Sequence, residues 1–354
     1  MSSSSAPTRR LRRLAHHLPP AAASGAAASA ALTGDELPRE LSAAFELVSW
    51  DEPERAAEKF RAFGFCLLGE ALAPNQLQRL RSAAGAVFDE VAEYDSEQTG
   101  SRGAGRYGLG SMTSHPEWAS TLIDNPRVLP VVDAIWGHSR CELLRCGMNG
   151  SFPGSLDQGL HIDLGANAFD DTFTELPIQA MPLFSMTVHY PVVDMCSTNG
   201  TIRIVPTSNR WVEPIPSLED EAAWMRGCEI TCPAGTAILK DVRIWHGGCE
   251  NNASPEANPS LGVGANHARP MPNAQYSAPW FNRPGDNARH LPAATLETLS
   301  DRGQQLAQRI TLPPGVEAAG YLLDGFRQIP IPEKRAEWGE FLRVSGQLAG
   351  TARR

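Results

Sequence analysis

The sequence predicts a mainly β fold held between helical segments, and three observations predict it. From about residue 141 to 269, short apolar runs alternate with Gly, Pro and Asn turns, the texture of a sandwich or barrel rather than of alternating β-α units. Before and after this region, apolar residues recur at helical spacing instead. The chain has 354 residues, 42% hydrophobic and 20% charged, the profile of a globular protein with ample length for a buried core.

Taken in order, residues 1–34 contain Arg9, Arg10, Arg12 and Arg13 and no acid, with Leu11, Leu14 and Leu18 at helical spacing until Pro19-Pro20. No apolar core follows the arginines, so a secretory signal is excluded; the composition fits a disordered leader or an organellar transit peptide. The expected domain is 35–350, with a β core at about 141–270. Residues 52–63 read as a helix with Ala56, Phe60 and Phe63 on one face, and GFCLLG (64–69) as a strand bounded by glycines. Residues 74–91 read as an amphipathic helix through Leu77, Leu80, Ala84, Val87 and Val91. The Gly- and Ser-rich stretch 94–112 reads as a loop, with Tyr107 and Met112 in a substrate lid or an idle connector. Residues 118–135 read as two short helices broken at Asn125-Pro126. Within the β region, Thr198-Asn199-Gly200-Thr201 is a tight-turn signal. Residues 293–310 and 333–342 read as helices again.

A net charge of -9 makes a phosphate-binding surface, and so a nucleic-acid partner, a poor expectation. No apolar run approaches the roughly 20 residues of a membrane helix. The charge splits into a +4 leader and a -13 body. Seven cysteines with no CxxC pair suit free thiols in a reducing compartment. Cys228 and Cys232 therefore read as small core or surface residues rather than a zinc site, and Cys249 as a packed thiol. The expected location is cytoplasmic, or an organelle if the leader is an address. The expected partner is a small-molecule substrate, and the chain is read as a monomer or homodimer.

The chemistry concentrates in QGLHIDLG. On a strand, residues i and i+2 project to the same side, so His161 and Asp163 present an imidazole and a carboxylate together. His246, in RIWHGG at the end of another β-like run, is the natural third ligand. Two His and one carboxylate leave positions open for oxygen and a co-substrate at non-haem Fe(II); zinc accepts the same set. His189 could line the cavity but reads first as a hydrogen-bonded barrel histidine, and His115 and His138 read as structural. Phe169, Phe173 and Leu176 could line a substrate entrance or simply pack a loop.

QGLHIDLG, NGTIRIVPTSNRW and PAGTAILKDVRIWHGGCENN, in that order, resemble the phytanoyl-CoA dioxygenase (PhyH) family of Fe(II)/2-oxoglutarate oxygenases over roughly residues 45–285. The resemblance implies a double-stranded β-helix (cupin-like jelly roll) with helices from both chain ends packed on one sheet. It implies His161, Asp163 and His246 as iron ligands and Gln158 and Thr201 as co-substrate contacts. Arg203, Trp211 and Arg243 also fall on family positions. The cofactors it implies are Fe(II), 2-oxoglutarate and molecular oxygen. The implied reaction is oxidation of an unactivated C–H bond, as hydroxylation, desaturation or cyclisation, of a small molecule in secondary or lipid metabolism.

Two departures stand out: the Thr that often follows NGx appears as Ile202, with Thr201 adjacent, and the second concerns the co-substrate clamp. The family places an Arg about eleven residues after the distal His to clamp the far carboxylate of 2-oxoglutarate. Here, with a one-residue insertion, Asn258 takes that position, and Asn cannot replace a bidentate cation. Either another cation takes over, with Arg203 best placed by sequence, or the loop aligns differently, or 2-oxoglutarate binding is lost. The last reading leaves a jelly-roll metal-binding or regulatory protein without turnover; a zinc hydrolase is the third alternative.

Overall fold

A computed structural model describes residues 36–164, 177–281 and 289–316, and the backbone of two further strands, Tyr321–Leu323 and Arg327–Ile329. The leader, Phe169, Phe173, Leu176 and the helix expected at 333–342 lie outside the described residues.

Helix α1 (Pro53–Phe63) begins on a proline and ends on Gly64, whose φ of 83° lets its N–H close on the Phe60 carbonyl at 2.8 Å. Strand β1 (Leu47–Ser49) precedes it. Strand β2 (Phe65–Gly69) follows directly and leads into helix α2 (Pro74–Tyr94). Strand β3 (Arg106–Gly110) lies inside the stretch expected to be loop. Its two glycines hide it from propensity, and pairing with β4 (Glu142–Ser151) forms it. Helix α3 (Leu129–Trp136) lies between β3 and β4. Strands β5 (Ser185–His189), β6 (Ile202–Ile204), β7 (Ala237–Asp241), β8 (His246–Gly248) and β9 (Arg269–Ser277) follow. The expected 293–310 helix is broken: one turn at Ala293–Leu296, then α4 (Asp301–Ala307), capped by the Ser300 hydroxyl on Gly303 N.

The large sheet runs β1-β2-β7-β5-β9-β4-β3-β10-β11, the last two being Tyr321–Leu323 and Arg327–Ile329. The second sheet pairs β6 with β8. Single bridges extend it: His161 to His246 on one side, Arg203 to Glu229 on the other. From β4 to β9 the chain passes back and forth between these two faces. The segment at 161 follows β4, β6 and the segment at 229 separate β5 from β7, and β8 separates β7 from β9. That path is a double-stranded β-helix, mainly β with flanking helices, as expected.

Alternation along the strands assigns the two sides of the large sheet. Ala237 and Leu239 of β7, Met186 and Val188 of β5, and Ala274 and Tyr276 of β9 pack in one apolar cluster with Phe60, Leu80, Val87 and Phe88 of the helices. Ile238 of β7 and Met271 of β9 instead meet Phe65, Leu67, Ile202 and Ile204 between the sheets. By the same parity Lys240, His189 and Arg269 face inward. The interior is therefore apolar at one end and carries polar residues toward the other.

Candidate metal centre

His161 and His246 exchange backbone hydrogen bonds, N to O at 2.9 and 3.0 Å, and Asp163 N bonds to Val242 O at 2.9 Å. This ladder puts the i and i+2 side chains of the 161–163 segment beside the ring of β8. The ligand atoms of His161, Asp163 and His246 lie within 4.8 Å of one another, and His246 Nε2 is 3.4 Å from Asp163 Oδ1. Each ring is oriented by its other nitrogen: His161 Nδ1 donates to Gly159 O at 3.1 Å and His246 Nδ1 to Ile244 O at 2.9 Å. Donation from Nδ1 leaves each Nε2 as the nitrogen open to a metal, the arrangement metal-ligating histidines use. Burial pushes the His161 imidazole down to about 4, so the ring is neutral and able to ligate. Burial raises the Asp163 carboxyl, but Lys240 and His246 outweigh it and hold the group well below the usual carboxylate range. Two imidazoles and one carboxylate, converging, fit a divalent cation of the iron or zinc class.

A partly open cavity adjoins the triad. Gln158 lines it; its side-chain carbonyl accepts from Gly248 N at 3.2 Å and its amide donates to Arg102 O at 3.3 Å. Tyr107 lines it too, as a buried strand residue, whereas Met112 is core.

The cations fall differently from the sequence reading. Arg203 lies outside the cavity lining. It is buried, and its Nη2 donates to both carboxylate oxygens of Glu221, at 2.9 and 3.0 Å, and to Gln158 O at 2.6 Å. The side chains of the pair are 2% and 0% exposed, so Arg203 is committed to an internal carboxylate rather than facing the cavity. Asn258 is also corrected: it sits on an exposed turn before Pro259–Leu261, away from the cavity. Thr201 turns away as well, its hydroxyl bonded to Ile230 O at 2.5 Å.

Arg269, which the sequence reading missed, opens β9 and lines the cavity. It is 3% exposed; Nη2 donates to Ser151 Oγ at 3.3 Å, while Nε and Nη1 have no partner. Burial, with Arg106 nearby, pushes the guanidinium down to about 9, the mark of a cation lacking an internal counter-ion. The signal in the sequence was an Arg at the head of a run alternating inward and outward, but 23 residues after His246. The long 249–268 loop displaced the alignment. His189 takes the cavity-lining alternative: both ring nitrogens are buried and unpartnered rather than hydrogen-bonded. Lys240, also unforeseen, places its Nζ 2.5 Å from Asp163 Oδ2 and 3.2 Å from His246 Nε2.

The remaining positions are structural. Arg243 pairs with Asp241 at 2.6 Å and donates to Met181 O, also at 2.6 Å. Trp211 packs edge-on against Trp245. His115 caps a helical turn at Glu117 N, and His138 Nδ1 accepts from Arg140 N. Cys228, Cys232 and Cys249 are buried free thiols. No helix among the described residues is long and apolar enough to cross a membrane.

Residues 60–256, more than half of the chain, match the family model of phytanoyl-CoA dioxygenase (PhyH). No curated protein matches the sequence. Among solved structures, the non-heme alpha-ketoglutarate-dependent carbocyclase SnoK from nogalamycin biosynthesis is similar at 15% identity. It has a TM-score of 0.47 over 66% of this chain and 87% of that one. EctD from S. alaskensis with bound Fe is similar at 18% identity and a TM-score of 0.49, over 71% and 83% of the two chains. AviO1 from Streptomyces viridochromogenes Tue57 is similar at 18% identity and a TM-score of 0.45, over 65% and 97%.

Proposed function

The chain belongs to the phytanoyl-CoA dioxygenase (PhyH) family, and from that premise we propose that it is an Fe(II)- and 2-oxoglutarate-dependent dioxygenase acting on an unactivated C–H bond of a small molecule. The observation that carries the reading is one cavity holding both a two-His, one-carboxylate cluster and a buried arginine with unspent donors. His161, Asp163 and His246 hold the iron. Arg269 anchors the far carboxylate of 2-oxoglutarate, since a planar fork matches a carboxylate, and Gln158 contacts the co-substrate from the triad side. Bound iron supplies oxygen activation coupled to decarboxylation of 2-oxoglutarate to succinate. The protein's own part is to fix the ligands, keep the far carboxylate in place and hold one C–H bond within reach.

Arg269 weakens the alternative of a regulatory jelly roll, because that reading rested on Asn258 standing where a cation should be. Residues 35–350 are taken as one catalytic unit, supported by β3, β10 and β11 joining the same sheet as the jelly-roll strands. The test is anaerobic addition of Fe(II) and 2-oxoglutarate, which should give a weak charge-transfer band near ~500 nm from chelation at an open ferrous site. Succinate should follow on admitting air. Neither band nor succinate would overturn the proposal; activity without oxygen, with zinc retained, would establish the hydrolase instead.

A further inference from the structure

Lys240 is the one ammonium group among the described residues at the triad, and nothing in the proposed reaction uses it. Its side chain comes from β7, between β5 and β2 in the large sheet, and is 1% exposed. The Nζ lies 2.5 Å from Asp163 Oδ2 and 3.2 Å from His246 Nε2, while Asp163 Oδ1 lies 3.4 Å from the same Nε2. His246 Nδ1 is already spent as the donor to Ile244 O. In the neutral ring its Nε2 therefore has a single lone pair, and Lys240 Nζ lies within hydrogen-bond distance of it. A divalent cation ligated by His246 needs that lone pair. The two cannot share it.

We infer that Lys240 is a tethered cation that holds the ligand set together, so that a divalent metal enters this centre by exchange, displacing the ammonium from His246. The inference rests on reading the triad as a metal site. It does not need 2-oxoglutarate or turnover. Two consequences follow from charge alone. Without metal, Lys240 supplies the counter-ion for Asp163, so the barrel keeps its ligands preformed and the protein stays folded. With metal, the exchange costs the Lys240 contact and sets two like charges close together, so affinity is lower than the ligand set alone would give.

The experiment uses the full chain and Co(II) as the probe, titrated calorimetrically into wild type, Lys240→Met and His246→Ala. Lys240→Met keeps the length and removes the charge. It should bind Co(II) about tenfold or more tighter than wild type, the least expected from removing one positive charge a few ångströms from a dication. It should also unfold at lower temperature than wild type when metal-free, because Asp163 loses its partner. Equal or weaker Co(II) binding by a folded Lys240→Met would overturn the inference and make Lys240 a positioning donor to the metal-bound carboxylate. A second measurement needs no variant. The chain has only three lysines, Lys59, Lys240 and Lys334, so ¹⁵Nζ resonances of labelled lysine are readily assigned. Adding Zn(II) should move the Lys240 signal and leave the other two in place; an unmoved Lys240 signal at saturating Zn(II) overturns the exchange. If neither protein binds metal, the metal-site reading and this inference fall together. If Lys240→Met binds tighter but no succinate forms from 2-oxoglutarate, the exchange stands and the proposed reaction fails.

Discussion

Replacing Arg269 by Gln tests the co-substrate site most directly. The guanidinium is 3% exposed, and two of its N–H groups, Nε and Nη1, have no partner within the protein. A ligand carboxylate would therefore gain both bonds without displacing an internal acceptor. Each hydrogen bond to a charged group contributes about 1.5–3 kcal/mol. Gln offers one neutral N–H donor pair in place of the fork, and it also relieves the cost of a buried cation, so the net loss is about 3–4 kcal/mol. That corresponds to a rise of about 100- to 1,000-fold in the KM for 2-oxoglutarate. The far carboxylate is remote from the carbons that react, so the contact is uniform binding, and kcat at saturating 2-oxoglutarate should fall little. Arg269→Lys, which keeps a charge but loses the planar fork, should lie between the two. The assay is the initial rate of succinate release against 2-oxoglutarate concentration at fixed Fe(II). A KM for Arg269→Gln within about threefold of wild type, less than the ~1.4 kcal/mol of a tenfold change, would refute the assignment.

Two further outcomes concern stability. Glu221→Gln leaves Arg203 as a buried cation without its carboxylate, a change that costs about 3–5 kcal/mol when such a pair is broken; the urea midpoint should drop accordingly, and an unmoved midpoint would mean that Asp157, 3.7 Å from Arg203, suffices as counter-ion. His290 is 4% exposed, its Nδ1 bonded to the Thr113 hydroxyl and its Nε2 unpartnered, and burial, followed by the charge of Arg145, pushes it down to about 4 from 6.5. The unfolded chain therefore takes up the proton first, so this residue's effect is to lower stability as pH falls from about 6.5 to about 4, by about 3 kcal/mol at most. His290→Asn should flatten the stability profile in that window; an unchanged profile would assign the acid sensitivity elsewhere.

The His161, Asp163 and His246 cluster was legible because its information is local. A period-2 spacing puts His161 and Asp163 on one side, and an apolar run ending in His246-Gly247-Gly248 marks a second strand end. The cation that completes the cavity was not legible, for two separate reasons. Arg203 reads as a free arginine until Glu221 is brought to it from a loop 18 residues on, and nothing in the spacing announces that pairing. Arg269 is hidden by Pro270 and Pro272, which argue against a central strand. Pro272 O accepts from Tyr190 N, just past the end of β5. The missing N–H of Pro272, and by parity that of Pro270, thus points to the side where β5 has ended. The ladder to β4 keeps its bonds, and β9 forms despite both prolines. Strand β3 was missed for the complementary reason: Gly108 and Gly110 carry no β signal of their own, and the strand exists because β4 offers it an edge.

Placing the cations by their partners leads to a result that proximity in sequence would not. The body carries a net charge of -13, yet five basic side chains, Arg102, Arg106, Arg203, Lys240 and Arg269, converge near the triad. Arg106 spends Nε on Leu156 O at 2.8 Å and Nη2 on Cys249 O; Lys240 spends its charge on Asp163 and Arg203 on Glu221. Arg269 has two buried nitrogens, Nε and Nη1, that meet no protein acceptor, against one, Nε, in Arg203. Charge near the cavity is therefore not interchangeable. Freeing Arg203 by Glu221→Gln gives a cation pointing at the Gln158 carbonyl, behind the cavity lining rather than in it. The double variant Arg269→Gln, Glu221→Gln should show a KM for 2-oxoglutarate no lower than Arg269→Gln by itself, measured by the same succinate assay. A recovery of tenfold or more, about 1.4 kcal/mol, would mean that Arg203 reaches the co-substrate once released, and that the anion site is set by net charge rather than by the single guanidinium at the head of β9.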